Sequence, residues 1–138
     1  LKQHDDILVP IIEKHGGKIL KKIGDAFLII FEVHNKALLT AIEIQRKLRD
    51  YNQGASDERK LAVRVAINSG PVIRRENDVF GDAVNLASRL EGVADAEEIV
   101  ISEYTFERID RQIFEISDYG VHKLKGIENP VHAYKIKW

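Results

Sequence analysis

Two short segments carry residue types suited to chemistry on a polyphosphate. Lys21-Lys22-Ile23-Gly24-Asp25 precedes an apolar run, and Asn77-Asp78-Val79-Phe80-Gly81-Asp82-Ala83-Val84-Asn85-Leu86-Ala87-Ser88-Arg89 follows about fifty residues later. The first reads as two strands joined by a Gly24-Asp25 turn, which sets a rigid, solvent-facing carboxylate where a hard cation could bind it. Gly-Asp is also ordinary turn chemistry, and Asp25 alone does not separate the two readings. In the second segment Asn85 and Arg89 stand four residues apart, on the side of a helix opposite Ala83, Leu86, Ala87 and Leu90. A guanidinium there can fork onto phosphate oxygens and an amide can orient a ribose oxygen, although a solvated polar face has the same pattern.

Three further residues stand near these two. With Lys18–Ile23 as a regular strand, Ile19, Lys21 and Ile23 share one face, so Lys21 either snorkels at a sheet edge or lines a pocket. Asp78 reads as a cap or dipole partner of the following helix, or as an acceptor for an exocyclic amine. Lys125 in Lys123-Leu124-Lys125-Gly126 follows a predicted strand, precedes a glycine turn and by itself reads as an exposed loop lysine. Arg74 and Arg75 add positive charge that either attracts phosphate or solvates a turn. The five histidines show no paired ligand spacing, and no nucleophile-elbow serine or Walker-type glycine loop occurs.

The elements that must position these residues are legible in the periodicity. Ile7, Leu8, Ile11 and Ile12 mark a helix that stops at His15-Gly16-Gly17, with Pro10 predicting a kink or a short helix. Lys18–Ile23 and a buried Ala26–Phe31 form the hairpin. Leu38, Ala41, Ile42 and Leu48 mark a helix ending near Tyr51, and the loop Asn52–Lys60 follows it. Leu61–Asn68 is predicted as a strand, Ser69–Asn77 as a connector, and Gly81 to Gly92 as a helix. Ile99–Ile101 is a short strand, and Ser102 caps a short helix through Ile109. Ile113–Ile116, His122–Leu124 and His132–Ile136 are predicted late strands, with turns at Gly120 and Glu128-Asn129-Pro130. Mixed strands and helices of this order predict an α+β fold, one sheet with helices packed on a face.

The chain has 138 residues, 44% hydrophobic and 31% charged, with a net charge of -1. That size fits one domain over residues 1–138. The balanced charge argues against a general nucleic-acid binder. With no cysteine there is no disulfide or thiolate metal site, in keeping with a reducing cytoplasm. No signal peptide and no apolar run of membrane-spanning length is visible. With no methionine and Leu1 at its start, the sequence reads as part of a longer chain.

Taken in order, these segments resemble the class III nucleotidyl cyclase catalytic domain of adenylyl and guanylyl cyclases. The likeness runs through Glu13-Lys14-His15-Gly16-Gly17, Lys21 to Phe27, Ala41 to Gln45, Val65-Ala66-Ile67-Asn68-Ser69-Gly70-Pro71-Val72, Asp78 to Leu90, and Leu124-Lys125-Gly126. It covers nearly the whole chain, and Gly-Asp-x-Val-Asn-x-Ala-x-Arg is its most specific part. The resemblance implies a ferredoxin-like βαββαβ sheet with helices on one face. It also implies conversion of ATP to cyclic AMP and pyrophosphate with two Mg²⁺ or Mn²⁺ ions.

Residue by residue, it makes Asp25 one of two metal-binding aspartates, and Lys21 and Asp78 the pair that reads adenine. Asn85 orients the ribose, Arg89 stabilises the transition state, and Lys125 holds the triphosphate. Members of the family build this site between two head-to-tail copies, so a homodimer is expected, with an upstream regulatory domain in a larger cytoplasmic signalling protein. The family's first strand, with its other metal aspartate, has no counterpart here, which implies a truncated domain inactive by itself. The alternative is a cyclase-like module that binds nucleotide or dimerises without turnover. A diguanylate cyclase would carry Gly-Gly-Asp/Glu-Glu-Phe at the hairpin, which this chain lacks.

Overall fold

The structure is a computed structural model and describes residues 2–138. Those residues form two compact units, 2–63 with Trp138 and 64–137.

The first unit is built on two helices and a hairpin: α1 (Lys2–Lys14), β1 (Lys18–Ile23), β2 (Ala26–Ile30) and α2 (His34–Gln53). Leu8, Ile11 and Ile12 of α1 meet Ile44 and Leu48 of α2, and Ile19, Phe27, Ile29 and Phe31 pack against them. Each such aliphatic side chain removed from water contributes on the order of 1.5–3 kcal/mol. The expected stop after α1 is present, with the amide of Gly17 donating to the carbonyl of Ile12 at 2.9 Å.

Helix α1 continues through Pro10 for its full 13 residues, where a short helix was one expectation. Pro10 and Asp6 are both exposed, so the carbonyl that lacks a partner has water available. Strand β2 is exposed at Ala26 and half-buried beyond it, a correction to the expected buried strand. A 3₁₀ turn at Asp57–Arg59 interrupts the polar loop after α2.

The second unit contains a four-stranded sheet of β3 (Val65–Ile67), β6 (Ile99–Ser102), β7 (Ile116–His122) and β8 (Val131–Ile136), in the spatial order β3-β6-β8-β7. Strands β3 and β6 are parallel, and the other pairings are antiparallel. The crossover from β3 to β6 holds a hairpin, β4 (Ile73–Arg75) and β5 (Asp78–Phe80), and then helix α3 (Asp82–Glu91). Leu86 and Leu90 of α3 are buried with Val100, Leu124, Val131 and Ala133. The four residues of β6 are all buried, as a central strand covered on both faces must be. Ser102 caps the short helix α4 (Glu103–Phe106) as expected, its hydroxyl accepting from the amide of Thr105 at 3.2 Å, and the helix ends three residues before the expected Ile109.

The α+β class holds, and the element order α1-β1-β2-α2-β3 is the βαββαβ pattern from its first helix onward, but the described strands pair as three separate sheets, β1-β2, β3-β6-β8-β7 and β4-β5, where one sheet was expected. Further expectations are corrected. Only Val65–Ile67 of the predicted strand Leu61–Asn68 enters a ladder. The connector after Ser69 contains the β4–β5 hairpin. The predicted strands Ile113–Ile116 and His122–Leu124 touch the observed strand β7 only at its two end residues, and β7 runs through the segment read as a turn, with Gly120 inside it where the register slips, at φ +85°. Glycine there serves a bulge and not a turn.

Lys22 ties the hairpin to α1 by an ion pair with Asp5, and its Nζ lies 5.2 Å from the centroid of the Phe27 ring. The hydrogen bond from Lys22, followed by that from His4, lowers the pKa of Asp5 from 3.8 to about 2. A depressed carboxylate stabilises the fold above its unfolded pKa, and the contribution disappears as pH falls through the folded one. This one is therefore lost between about pH 4 and pH 2. In Lys22→Ala the Asp5 carboxyl should titrate closer to its ordinary range, followed by NMR of the side-chain carboxyl carbon. An unchanged titration would show that Lys22 does not hold it down.

Candidate active site

Asp25 stands at the tip of the β1–β2 hairpin. Gly24 precedes it with φ +63°, and Asp25 itself has no positive φ, as expected of a type II′ turn with glycine first. The Asp25 carboxylate is exposed and makes no hydrogen bond or ion pair among the described residues. The turn thus presents two charged oxygens to solvent.

Lys21 departs from the sequence expectation. Ile19 pairs with Ile29, yet Lys21 pairs with Leu28, so two residues of β1 oppose one of β2. Cross-strand partners share a face, so the slip moves Lys21 away from the face of Ile19 and Ile29. Lys22, paired with Phe27, takes the core-side position. Lys21 is half-buried on the Leu28 face.

Helix α3 begins at a backbone only glycine adopts readily, with Gly81 at φ +132° and ψ 172°. No side chain caps it, and Asp82 in the first turn supplies the negative charge favoured there. Asp78 is therefore not the cap. It belongs to β5, and its Oδ1 accepts from the amide of Val79 at 2.8 Å.

Leu86 and Leu90 face inward, so Asn85, Ser88 and Arg89 are exposed. Four residues of helix separate Asn85 from Arg89 by about 6 Å along the axis, so the two side chains lie on one side of it, one turn apart. Neither side chain has a hydrogen bond or ion pair among the described residues. Lys125 is exposed at the second position of a turn, in which the amide of Ile127 donates to the carbonyl of buried Leu124 at 3.1 Å. Its amine likewise has no partner among the described residues.

The geometry brings Lys21 and Asp25 together on one hairpin of the first unit. Asp78 lies on β5 and Asn85 and Arg89 on α3 of the second, with Lys125 on a separate turn there. The first unit has an open concavity of about 580 Å³ lined by Gln3, Tyr51, Gly54, Ala55, Ser56 and Arg59, none of them a predicted site residue. Among the described residues no three His, Asp or Glu side chains gather as a ready-made metal cage. A lone exposed carboxylate still fits Mg²⁺, which is commonly held by one or two carboxylates together with substrate phosphates and water.

Sequence reasoning missed the outer face of the β4–β5 hairpin, where exposed Ile73 pairs with exposed Phe80. The alternation in Asp78-Val79-Phe80, with only Val79 buried, is the signal that could have found it.

The chain belongs to the adenylate and guanylate cyclase catalytic domain family, which it matches over residues 1–137. An adenylate cyclase of Anabaena cylindrica is 31% identical over 147 residues, covering 91% of this chain and 29% of that protein. A crystal structure described as an adenylate/guanylate cyclase/hydrolase from Silicibacter pomeroyi is 31% identical, with a TM-score of 0.88 over 98% of this chain and 81% of that one. The catalytic core of a rhodopsin-guanylyl cyclase with converted specificity, solved in complex with ATPαS, is 26% identical, with a TM-score of 0.84 over 98% of this chain and 78% of that one. The chain spans only 22% and 16% of the lengths of other curated relatives.

Gly81→Ala should destabilise the protein by about 1–3 kcal/mol, the cost of holding a side-chain-bearing residue in a glycine-only conformation. Urea denaturation measures this, and a change below about 0.5 kcal/mol would show that the start of α3 relaxes freely.

Proposed function

We propose that residues 1–138 belong to a cyclase catalytic domain that, in the intact protein, converts ATP to cyclic AMP and pyrophosphate. The observation that carries this reading is the exposed Asn85–Arg89 ledge, two side chains with no partner among the described residues on a helix anchored from behind by Leu86 and Leu90. The family match and the relatives named adenylate cyclase support it.

In the proposed reaction the ribose 3′-hydroxyl gives up its proton to water and its oxygen bonds to the α-phosphorus, as the bond to the bridging oxygen breaks and pyrophosphate leaves. Asn85 orients the ribose so that the hydroxyl lies in line with that bond. Arg89 donates to the α-phosphoryl oxygens, where negative charge grows toward the transition state. Lys125 neutralises the departing pyrophosphate. Lys21 and Asp78 read the adenine edge, one as donor and the other as acceptor for the exocyclic amine. Asp25 is the ligand this chain offers to Mg²⁺ or Mn²⁺. Two such ions, when bound, acidify the 3′-hydroxyl and offset the charge of the triphosphate.

The same reading makes the active form a homodimer. One copy supplies Asp25 and its mate supplies Asn85, Arg89 and the base contacts. It also places the domain in a cytoplasmic signalling protein with a regulatory region upstream. No helix of the described residues is long and apolar enough to cross a membrane.

Assay of the intact protein with ATP and with GTP, each with Mg²⁺ and Mn²⁺, tests this directly. Cyclic AMP from ATP is expected. Cyclic GMP alone would overturn the substrate, and no cyclic nucleotide under any condition would overturn the enzyme. Arg89→Ala should lower kcat by about 10²–10³-fold with KM within about threefold, because its contact strengthens in the transition state. Equal losses in both would make Arg89 a ground-state contact. Lys21→Glu should reduce the preference for ATP over GTP, read as the ratio of the two kcat/KM values. An unchanged ratio removes Lys21 from base reading.

A further inference from the structure

A polar network inside the second unit lies behind the ledge on α3. Asn68, immediately after β3, donates from Nδ2 to the carbonyl of Ala83 at 2.9 Å, in the first turn of α3. Its Oδ1 accepts from the hydroxyl of Ser102 at 2.6 Å, at the end of β6. That hydroxyl also caps α4, and Thr105 next along donates to the carbonyl of Ile67 at 3.3 Å. Ser102 and Thr105 are fully buried. An amide is the side chain that serves here, since it must accept on one side and donate on the other.

The carbonyl of Ala83 already has an intrahelical donor available in the amide four residues on, so the helix does not need Asn68 to satisfy it. What the bond adds is position. It joins the first turn of α3 to the ends of two parallel strands, two residues ahead of Asn85. A second observation points the same way: a Cβ on Gly70 would stand 3.0 Å from that of Ala83, so the chain after β3 passes against this same turn.

We propose that Asn68 is a positioning residue: it fixes the first turn of α3 to the ends of β3 and β6 and so sets the direction in which Asn85 and Arg89 meet the nucleotide. The proposal rests on the reading of α3 as the substrate-facing helix. Ser102 has a different share. It stabilises α4 and orients the amide, but it does not touch α3.

Two variants of the intact protein separate these roles. Asn68→Asp keeps size and the acceptor for Ser102 but replaces the donor to Ala83 with a charge that repels its carbonyl. Ser102→Ala removes the cap and leaves the donor. For N68D kcat should fall by about 10- to 100-fold with KM within about threefold, the cost of a small misplacement of reacting groups. Amide exchange should quicken across α3 while β6 stays protected. For S102A melting temperature should fall further than in N68D and kcat should fall less. Loss of kcat in proportion to lost melting temperature in both variants, or wild-type kcat in N68D, would overturn the proposal and leave the cyclase reading standing. A wild-type protein silent with both nucleotides would overturn the reading beneath it.

Discussion

Helix α3 can offer a polar ledge only because its other side is committed. Leu86 and Leu90 lie four residues apart, and both are buried against Val100, Val131 and Ala133 on the sheet. With 3.6 residues per turn, that burial leaves Asn85 and Arg89 facing solvent. Rotating the helix to hide Arg89 would expose two leucines, at a cost of about 1.5–3 kcal/mol each, and would bury an unpaired charge. The helix ends are fixed as well. Gly81 supplies a backbone turn that few other residues tolerate, and Gly92 follows the last helical residue.

The charge economy of the chain sets this ledge apart. Asp5, Glu43 and Asp118 all have lowered pKa values, held down chiefly by hydrogen bonds from Lys22, Lys14 and His132 respectively. For Glu98, burial raises the pKa, but the hydrogen bonds from Lys135 and the Asp95 amide bring it net below its ordinary value. These carboxylates have their hydrogen-bond donors in place. Asp25, Asn85, Arg89 and Lys125 have none of this, and each is exposed. Partners satisfied within the fold suit a structural role. Strong donors and acceptors left to water suit a ligand that brings its own charge, as a nucleoside triphosphate with its metal does.

Much of this was legible in the sequence. The bounds of α3 followed from Gly81, Gly92 and the apolar spacing between them, and the β1–β2 hairpin followed from Gly24-Asp25 between two apolar runs. The order of the quoted motifs led to the family, which the match over residues 1–137 shows. What failed did so for local reasons. Strict alternation put Lys21 on the face of Ile19, but a one-residue slip between them has no mark in the side chains. A cap was one reading of Asp78 because it precedes a helix; the three-residue strand that holds it was too short for a period to register. Gly120 was read as a turn because a glycine bulge and a glycine turn require the same positive φ. The Asn68 network was invisible for another reason: it joins strand ends 34 residues apart, and nothing local couples them.

The central claim is that one active site is completed by two copies of the chain, the hairpin acid from one and the α3 ledge from its mate. Mixing intact Asp25→Ala protein with intact Arg89→Ala protein tests it most directly. Each variant alone should be nearly inactive. Random exchange makes half of the dimers mixed, each with one whole site of two, so the mixture should recover about a quarter of wild-type activity. A mixture no more active than its two components, once subunit exchange is verified, would contradict the account.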